Sequence, residues 1–280
     1  MSLKLMYITN KPRVAQIAEK HHVDRIWVDL EKRGKAERQY GRNTVLSTHT
    51  MEDISVIRNS ISVSELLVRT NPIYEGSKKE IDECIQRGAD VIMLPFFSEV
   101  EEVKKFLEFV DGRVKTLLLV ETIGAEKNLI EILKLPGIDE IHIGLNDLHI
   151  QYKQKFMFEL LANGKVEEIL NQVKDYHIPY GFGGIARLDE GMLPARHIIA
   201  EHYRLGSTMV ILSRSFYDSW ISDDYEEIER VFKFGLDEIR EYECRLEHES
   251  PKFFEDNRLT VIKEVQEVVN RIQARSEKKC

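Results

Sequence analysis

Two acidic side chains, Glu121 and Asp147, follow closely on two apolar runs of strand length. The runs are 116–120 and 141–145, and the chain between them, 125–134, has the periodicity of a helix. A strand–helix–strand unit makes its two strands parallel, so both acids are expected at the same edge of the sheet. Carboxylate oxygens with room for water are the ligands that Mg²⁺ or Mn²⁺ prefers. The spacing therefore predicts a site for a divalent ion.

Other polar side chains stand at the ends of further predicted strands. Asp29 and Glu31 end the second strand, Arg69 and Asn71 the third, and Arg214 the eighth. Clustered carboxylates repel one another unless a cation lies among them. An arginine suits such a cluster because its planar fork also matches the carboxylate of a substrate. The set predicts a site that binds a metal ion and a small anion.

These residues need a scaffold in which strands and helices alternate. Apolar runs bounded by breakers predict eight strands, at 3–9, 25–31, 65–71, 90–96, 116–120, 141–145, 179–185 and 208–215. Helical spacing predicts helices at 12–21, from 51 onward, and at 77–87, 98–110, 125–134, 151–162, 165–176 and 189–205. Thr50 with Asp53, and Ser98 with Glu101, have the spacing of capping boxes.

Eight alternations are typical of a (β/α)8 TIM barrel, whose active site lies at the C-terminal ends of the strands. An open doubly wound sheet is the alternative, but it usually has fewer strands. We predict a barrel over 1–222 and a C-terminal helical extension over 223–280, with amphipathic helices at 223–247 and 257–275. Their apolar faces cover a barrel end or reach a neighbouring subunit. We favour packing on, or exchange with, a neighbour, and expect a homo-oligomer, a trimer or a hexamer.

Composition excludes several classes of protein. The 280 residues are 42% hydrophobic, which is enough for a full core, and the net charge of −8 argues against a nucleic-acid partner. Cys84, Cys244 and Cys280 have no spacing typical of a metal site or a disulfide framework. No apolar run approaches the length that spans a membrane, and the N-terminus has no secretory pattern. We therefore expect a cytoplasmic protein without a membrane partner.

Four motifs carry a resemblance to a known family. They are Val-Arg-Thr-Asn at 68–71, Gly-Ala-Asp-Val-Ile-Met-Leu-Pro at 88–95, Val-Glu-Thr at 120–122 and Ile-Gly-Leu-Asn-Asp-Leu at 143–148. Together they resemble the HpcH/HpaI aldolase and citrate-lyase beta-subunit superfamily, in register with the strand order over about 25–215. The resemblance implies a TIM barrel of the phosphoenolpyruvate/pyruvate type.

The resemblance also implies roles for individual residues. Glu121 and Asp147 would hold Mg²⁺ or another divalent ion such as Mn²⁺. Arg69 would bind the carboxylate or enolate oxygen of a pyruvate-like unit. From the residues themselves we expect Asp29 and Glu31 to order the catalytic site, and the alternative is that Arg69 forms a structural ion pair with one of these acids. Backbone amides around Gly144, Leu145, Asn146 and Asp147 would help to hold the 2-oxo acid. A cation and a guanidinium together stabilise the negative charge of an enolate as it forms.

The sequence departs from both branches of that superfamily. The aldolase branch has Asp-x-Glu-His at the end of the second strand, whereas here the run is Asp29-Leu30-Glu31-Lys32. That branch also has glutamine where this chain has Leu119. The run 29–38 is more similar to the citrate-lyase branch. The resemblance therefore leaves the second substrate and the proton-transfer group unassigned.

The function predicted is a divalent-metal-dependent carbon–carbon lyase or aldolase that forms or cleaves a pyruvate- or oxaloacetate-like 2-oxo acid. Its partners would be that acid and an aldehyde or an acyl-CoA. One alternative is an acyl-CoA lyase of the malyl or citryl type. Another is a catalytically idle barrel that binds a small acid or a protein. Lys32 as a Schiff-base nucleophile would instead make a metal-free aldolase, although a lysine beside a strand is usually solvated.

Several residues have both a functional and a structural interpretation. His49 and His149 lie near the predicted mouth and would serve as proton shuttles, or simply as loop histidines, while His142 is expected to be packed in the barrel. The glycines of 181–184 would bind phosphate or permit tight packing. Arg42 and Arg214 would bind a distal acid or lie at the surface. We favour the structural interpretation for the histidines and the surface for both arginines.

Overall fold

The architecture is that of a closed barrel, seen in a computed structural model that describes residues 2–34, 47–218 and 224–277. Eight parallel strands are hydrogen-bonded in chain order and the eighth closes on the first. They are β1 (Lys4–Ile8), β2 (Arg25–Asp29), β3 (Glu65–Arg69), β4 (Val91–Leu94), β5 (Lys115–Val120), β6 (Glu140–Ile143), β7 (Tyr180–Ile185) and β8 (Met209–Leu212). The prediction of a (β/α)8 TIM barrel is confirmed.

Helices follow the strands and continue beyond the barrel. Within the described residues they are α1 (Pro12–Lys20), α2 (Met51–Arg58), α3 (Ser77–Gln86), α4 (Val100–Val110), α5 (Ile123–Lys127), α6 (Leu129–Leu133), α7 (Leu145–Gln151), α8 (Glu159–Ala162), α9 (Lys165–Lys174), α10 (Ala195–Leu205), α11 (Tyr225–Leu246) and α12 (Pro251–Glu277). The last two form the predicted C-terminal helical extension. Among the helices described, none is long and apolar enough to cross a membrane.

The chain divides into two compact units, one formed by Leu5–His142 and the other by Met1–Lys4 together with Ile143–Cys280. In the first unit, β2 and β3 pair in parallel over their whole length, from Arg25 opposite Glu65 to Asp29 opposite Arg69. Alternate residues of a strand share one face. In β2, Ile26 on one face is fully buried and belongs to the apolar core. The other face carries polar side chains at both strand ends.

A buried ion pair joins β2 to β6 at the start of these strands. Arg25 is fully buried and donates two hydrogen bonds to the carboxylate of Glu140, the one from Nη2 being 2.7 Å long. Its Nε donates to Glu65 at 2.7 Å. Burial works against the charged guanidinium, but the hydrogen bonds and charges of the two carboxylates outweigh it and raise the pKa of Arg25. The pair is a structural element of this end of the barrel.

In the second unit, the C-terminal helices pack on the chain's own helices. Helix α12 lies against α10 and α8, and α11 also contacts α10. Val265 and Val268 of the predicted apolar stripe are 2% and 1% exposed. Leu259 and Ile262 of the same stripe remain 52% and 36% exposed. The chain itself therefore covers the buried part of the stripe, and exchange with a neighbouring subunit stays a prediction.

Side-chain hydrogen bonds fix both C-terminal helices. Asn257 of α12 donates from Nδ2 to the buried carboxylate of Glu201 at 3.0 Å and to the carbonyl of His197 at 3.1 Å, both on α10. Glu243 of α11, which is 2% exposed, accepts a 2.7 Å hydrogen bond from the backbone amide of Leu3. The extension is thus attached by buried polar contacts as well as by apolar ones.

Capping boxes were predicted at the starts of two helices, and the structure confirms one of them. Asp53 accepts a 2.7 Å hydrogen bond from the amide of Thr50, so that capping box is confirmed. The other box is displaced by one residue, because Glu99 caps α4 and its amide donates to Glu102 at 2.9 Å. The hydroxyl of Ser98 donates instead to Thr122 at 3.2 Å. The prediction of Ser98 with Glu101 was wrong.

Three predicted helices are shorter than their apolar spacing indicated. The helix predicted at 125–134 is broken into α5 and α6 at Asn128, whose side chain donates to the carbonyl of Ser98 at 2.9 Å. The helix predicted at 151–162 is wrong, because α7 ends at Gln151 and only the short α8 follows. The helix predicted at 189–205 begins only at Ala195, since Pro194 disfavours helix in the residues before it.

Candidate active site

The centre of the candidate site is a pair formed by the last residues of β2 and β3. Because these strands pair in register, Asp29 and Arg69 stand side by side. The carboxylate of Asp29 accepts hydrogen bonds of 2.8 Å from Nε and 2.7 Å from Nη2 of Arg69. Glu31 adds a second carboxylate, with Oε2 at 3.4 Å from Nη2. The predicted cluster of Asp29, Glu31 and Arg69 is therefore present in the structure.

The guanidinium of Arg69 is held in place on several sides. Its centre lies 4.8 Å from the centroid of the Trp27 ring, a cation–π contact. Burial alone would lower the pKa of Arg69, but the charges of Asp29 and Glu31 and the hydrogen bonds to Asp29 raise it. Of the described residues, none accepts a hydrogen bond from Nη1. This nitrogen keeps a donor available for an external oxygen.

The backbone of Asp29 is fixed by two residues that precede α2. Its amide donates to Nδ1 of His49 at 3.0 Å, and its carbonyl accepts a 2.6 Å hydrogen bond from the hydroxyl of Ser47. Since Nδ1 of His49 accepts, the neutral ring carries its proton on Nε2. His49 is 1% exposed. Sequence reasoning missed these two contacts, which give His49 the structural role that we favoured.

Glu121 lies directly after β5 and adds a third carboxylate to the same unit. It is 3% exposed, and Oε1 accepts a 3.0 Å hydrogen bond from the amide of Phe96. Its charge is also among those that raise the pKa of Arg69. Asp29 and Glu31 are 2% and 1% exposed, so three buried carboxylates act on the guanidinium of Arg69.

The predicted substrate-binding residues 144–147 open α7 in the second unit. Gly144 precedes the helix, and Asp147 lies in its first turn with 7% of its surface exposed. Leu145 is buried, and a Cβ placed on Gly183 would lie 2.8 Å from its Cδ1. Gly183 also has φ +56°. Glycine at 183 is therefore required by packing and backbone conformation, which is the structural interpretation of that segment.

The remaining candidates have structural or exposed positions. His142 is fully buried, as expected for a packed barrel residue. Nδ1 of His149 lies 3.1 Å from the carbonyl of Leu145, one turn earlier on the same helix. Lys32 and Arg214 are exposed. The predictions made for Arg42 and for the run 35–38 lie outside the described residues.

The chemistry of the donors allows a divalent ion. Carboxylate oxygens are hard ligands of the kind that Mg²⁺ and Mn²⁺ prefer, and Glu121 and Asp147 each supply one buried carboxylate. In the part of the chain that the structure describes, no three side chains of His, Cys, Asp or Glu converge to hold a metal. A site with two carboxylates completed by water and substrate does not need three. Binding of one ion by Glu121 and Asp147 stays a prediction.

Comparison with known proteins gives one family and one fold. The sequence profile described as HpcH/HpaI aldolase/citrate lyase matches residues 4–159, more than half of the chain. No curated protein is a match in sequence.

Solved structures share the fold at low identity. An HpcH/HpaI aldolase from Desulfitobacterium hafniense DCB-2 is 15% identical, with a TM-score of 0.58 over 76% of this chain and 86% of that one. An HpcH/HpaI aldolase/citrate lyase family protein from Burkholderia cenocepacia J2315 is 12% identical, with a TM-score of 0.58 over 85% and 95% of the two chains. Citrate synthase SbnG is 14% identical, with a TM-score of 0.58 over 86% and 94%. At these identities the likeness shows the fold alone.

Proposed function

Because this chain belongs to the HpcH/HpaI aldolase/citrate lyase family, we propose that it is a divalent-metal-dependent carbon–carbon lyase or aldolase. Its substrate or product would be a 2-oxo acid of the pyruvate or oxaloacetate type. The reaction makes or breaks a carbon–carbon bond next to a carbonyl, so negative charge develops on the carbonyl oxygen. A site for this chemistry has to stabilise that charge and bind a carboxylate.

The observation that supports this proposal most strongly is the environment of Arg69. Its guanidinium uses Nε and Nη2 for Asp29, and Nη1, from which no described residue accepts a hydrogen bond, would donate to a substrate oxygen. Asp29 and the ring of Trp27 fix the guanidinium before any substrate arrives, so that little reorganisation is needed on binding. In this arrangement Arg69 binds the anion, Asp29 orients Arg69, and Glu31 adds to the charge that keeps Arg69 protonated.

The metal is the second part of the proposal. Glu121 and Asp147 would hold it, and when bound it would supply Lewis-acid stabilisation of the developing oxyanion. Backbone amides at 144–147 would hold the 2-oxo acid. Lys32 is exposed to water, whereas a Schiff-base lysine is activated by desolvation or a neighbouring cation, so the structure lends the metal-free alternative no support.

Calorimetry with Mg²⁺ and oxalate, a planar dianion that resembles the enolate of pyruvate, tests the proposal. We expect oxalate to bind the wild type only when Mg²⁺ is present. Glu121→Gln keeps the acceptor for the amide of Phe96 but removes the charge, and it should abolish Mg²⁺-dependent heat. Glu131→Gln, on an exposed face of α6, is the matched control and should bind as the wild type does. No heat with the wild type, or unchanged heat in Glu121→Gln, would contradict the proposal.

Turnover assays then separate the alternatives within the family. Pyruvate or oxaloacetate is offered with a panel of aldehydes, and separately with acyl-CoA thioesters. Product with aldehydes alone identifies the aldolase, and product with thioesters alone identifies the acyl-CoA lyase. Oxalate binding without turnover on either panel identifies a barrel that binds a small acid and performs no catalysis.

We also propose that the protein is a homo-oligomer, a trimer or a hexamer. Leu259 and Ile262 support this, because they leave an apolar part of α12 exposed to solvent. Light scattering during size-exclusion chromatography measures the mass directly. A mass of 32.7 kDa, that of one chain, would contradict the proposal.

A further inference from the structure

The chain that follows β2 carries Glu31, and the backbone amides of four consecutive residues, 30–33, donate hydrogen bonds. The amide of Leu30 donates to the carbonyl of Arg69 at 2.9 Å, and the amide of Glu31 donates to Oδ1 of Asp29 at 3.1 Å. The next two amides, those of Lys32 and Arg33, donate to the side chain of Asn71 at 2.9 and 3.0 Å. One asparagine oxygen therefore fixes the two residues immediately after Glu31.

Asn71 is itself held by a buried carboxylate. Its amide nitrogen and its Nδ2 donate to Oε1 of Glu80 at 3.1 and 2.8 Å. Glu80 lies on α3 and is only 8% exposed. These hydrogen bonds orient the side-chain amide of Asn71 so that Oδ1, and not Nδ2, faces the chain after β2. The guanidinium of Arg33 also lies 3.8 Å from the ring centroid of Tyr74, which strengthens the same attachment.

We propose that Asn71 and Glu80 are positioning residues for the candidate active site. Glu80 orients Asn71, and Asn71 anchors the backbone at Lys32 and Arg33. The anchored backbone keeps Glu31 beside Arg69. Neither side chain touches the substrate in this assignment. The inference rests on the proposed function for its consequence in binding, but the anchoring itself can be measured without any ligand.

Asn71 donates to Glu80, so a test is to exchange the donor and the acceptor between these two side chains. Asn71→Asp places a second carboxylate against buried Glu80, and the repulsion between them should move the side chain away from the two amides. Adding Glu80→Gln restores a donor opposite an acceptor, with the roles of the two side chains exchanged. The double variant should therefore recover the hydrogen bonds that Asn71→Asp loses. The wild type, the two single variants and the double variant together form a double-mutant cycle, which measures the coupling between residues 71 and 80.

The first measurement is hydrogen exchange of the amides of Lys32 and Arg33. In Asn71→Ala and Asn71→Asp we expect their exchange to speed up by about tenfold, the usual effect of one lost hydrogen bond. In Asn71→Asp with Glu80→Gln it should return to the wild-type rate. The amide of Asp29, bonded to His49, is the internal control and should not change. Asn163→Ala, which removes an acceptor for the amide of Lys165, is the matched control variant.

The second measurement is the affinity for oxalate in the presence of Mg²⁺. Trp220→Phe leaves Trp27 as the only tryptophan of the chain, and its contact with Arg69 makes its fluorescence a reporter of this site. Affinity should fall about tenfold in both single variants at Asn71 and recover in the double variant. Unchanged exchange of Lys32 and Arg33 in Asn71→Ala, or no recovery in the double variant, overturns the inference. Faster exchange with unaltered oxalate affinity also overturns it, because the anchor would then not position the site.

The two proposals fail in different ways. If the wild type does not bind oxalate with Mg²⁺, the proposed function is overturned, while the exchange rates still decide the anchoring. If the wild type binds oxalate but the substitutions do not change the exchange rates of the Lys32 and Arg33 amides, only the proposed positioning role is overturned.

Discussion

The carboxylate of Asp29 accepts two hydrogen bonds from the guanidinium of Arg69, and the two residues are partners in the register of β2 and β3. Both oxygens of Asp29 are used, one by Nε and one by Nη2. Two parallel bonds fix the plane of the guanidinium as well as its position. Nη1, which has no acceptor among the described residues, is therefore held in a defined direction.

Arg69→Lys tests whether activity requires the two-nitrogen contact of the guanidinium with Asp29. A lysine keeps the charge but is a single point donor, so it cannot bind Asp29 in this way and a substrate oxygen as well. We expect kcat/KM for the 2-oxo acid to fall by about 100-fold, the effect of two lost charged hydrogen bonds. Arg58→Lys, which alters the half-exposed pair of Arg58 with Asp90, is the control and should retain activity. Equal activity in both variants would count against Arg69 as the anion-binding group.

Asp147→Asn tests the predicted metal ligand in the second unit. An amide oxygen of the same shape is a much weaker ligand for Mg²⁺ than a carboxylate. Activity and Mg²⁺ binding should disappear, while the melting temperature shifts by no more than about 2–4 °C, the shift caused by 1 kcal/mol in a domain of this size. Differential scanning calorimetry provides the measurement. A large fall in melting temperature would assign Asp147 a structural role.

Glu140→Gln tests the buried pair at the other end of β2. Arg25 is fully buried, so removing the charge of Glu140 leaves Glu65 as the remaining charged partner of its guanidinium among the described residues. Breaking a buried pair in this way costs about 3–5 kcal/mol, which urea unfolding measures. Asp256→Asn, in a surface pair with Lys252, should change the free energy of unfolding by no more than about 0.5 kcal/mol. Similar losses of unfolding free energy in Glu140→Gln and Asp256→Asn would show that burial of the ion pair does not determine its contribution to stability.

The stability contributed by Glu19 should depend on pH. Burial opposes its charge, but hydrogen bonds from the backbone amides of Ser64, Val63 and Ser62 lower its pKa below the ordinary value of 4.5. A carboxyl whose pKa is lower in the folded state adds stability above its unfolded pKa, and loses it as the pH falls through the folded value.

Glu19→Gln should therefore be less stable than the wild type at pH 7, and the difference should shrink once the pH falls below about 4. Urea midpoints across this range measure it. Glu241→Gln, on the exposed side of α11, is the control and should follow the wild type. A difference between Glu19→Gln and the wild type that stays constant with pH would contradict the mechanism.

Removal of residues 223–280 should prevent folding. The carboxylate of Glu243 binds the amide of Leu3, and Arg240 donates to the carbonyl of Leu3 at 2.8 Å, so both backbone groups of that residue depend on α11. Truncation also exposes the surface of α10 that α12 covers. We expect aggregated or unfolded protein by circular dichroism and size-exclusion chromatography. A truncated chain that elutes as a compact, folded species would contradict this expectation.

The sequence predicted the strands better than the helices, for a physical reason. Apolar runs such as 116–120 are buried on both faces in a barrel, so their composition alone identifies them. Helix boundaries depended on single side-chain contacts with distant residues. Asn128 ends α5 by bonding to Ser98, and Ser98 gives up its capping role to bond Thr122. Nothing in the local periodicity of either segment indicates such contacts.

Of the candidate site, the sequence predicted the charged residues at the strand ends but not the residues that hold them in place. Asp29, Glu31 and Arg69 were identified because barrel chemistry is confined to strand ends, and an ion pair among them was among the interpretations considered. The residues that support them were not identified. His49 and Asn71 bind backbone amides 20 and 38 or 39 residues away, and only the folded chain brings these groups together.

The two hydrogen bonds at Leu3 have a consequence for biosynthesis. A ribosome releases residue 3 long before residue 243, 240 positions later, which at usual rates of elongation is a delay of roughly 10–50 s. During that time both backbone groups of Leu3, the residue before β1, lack the partners that α11 later supplies. The hydrogen bonds that join Leu3 to α11 can therefore form only after translation has passed residue 243.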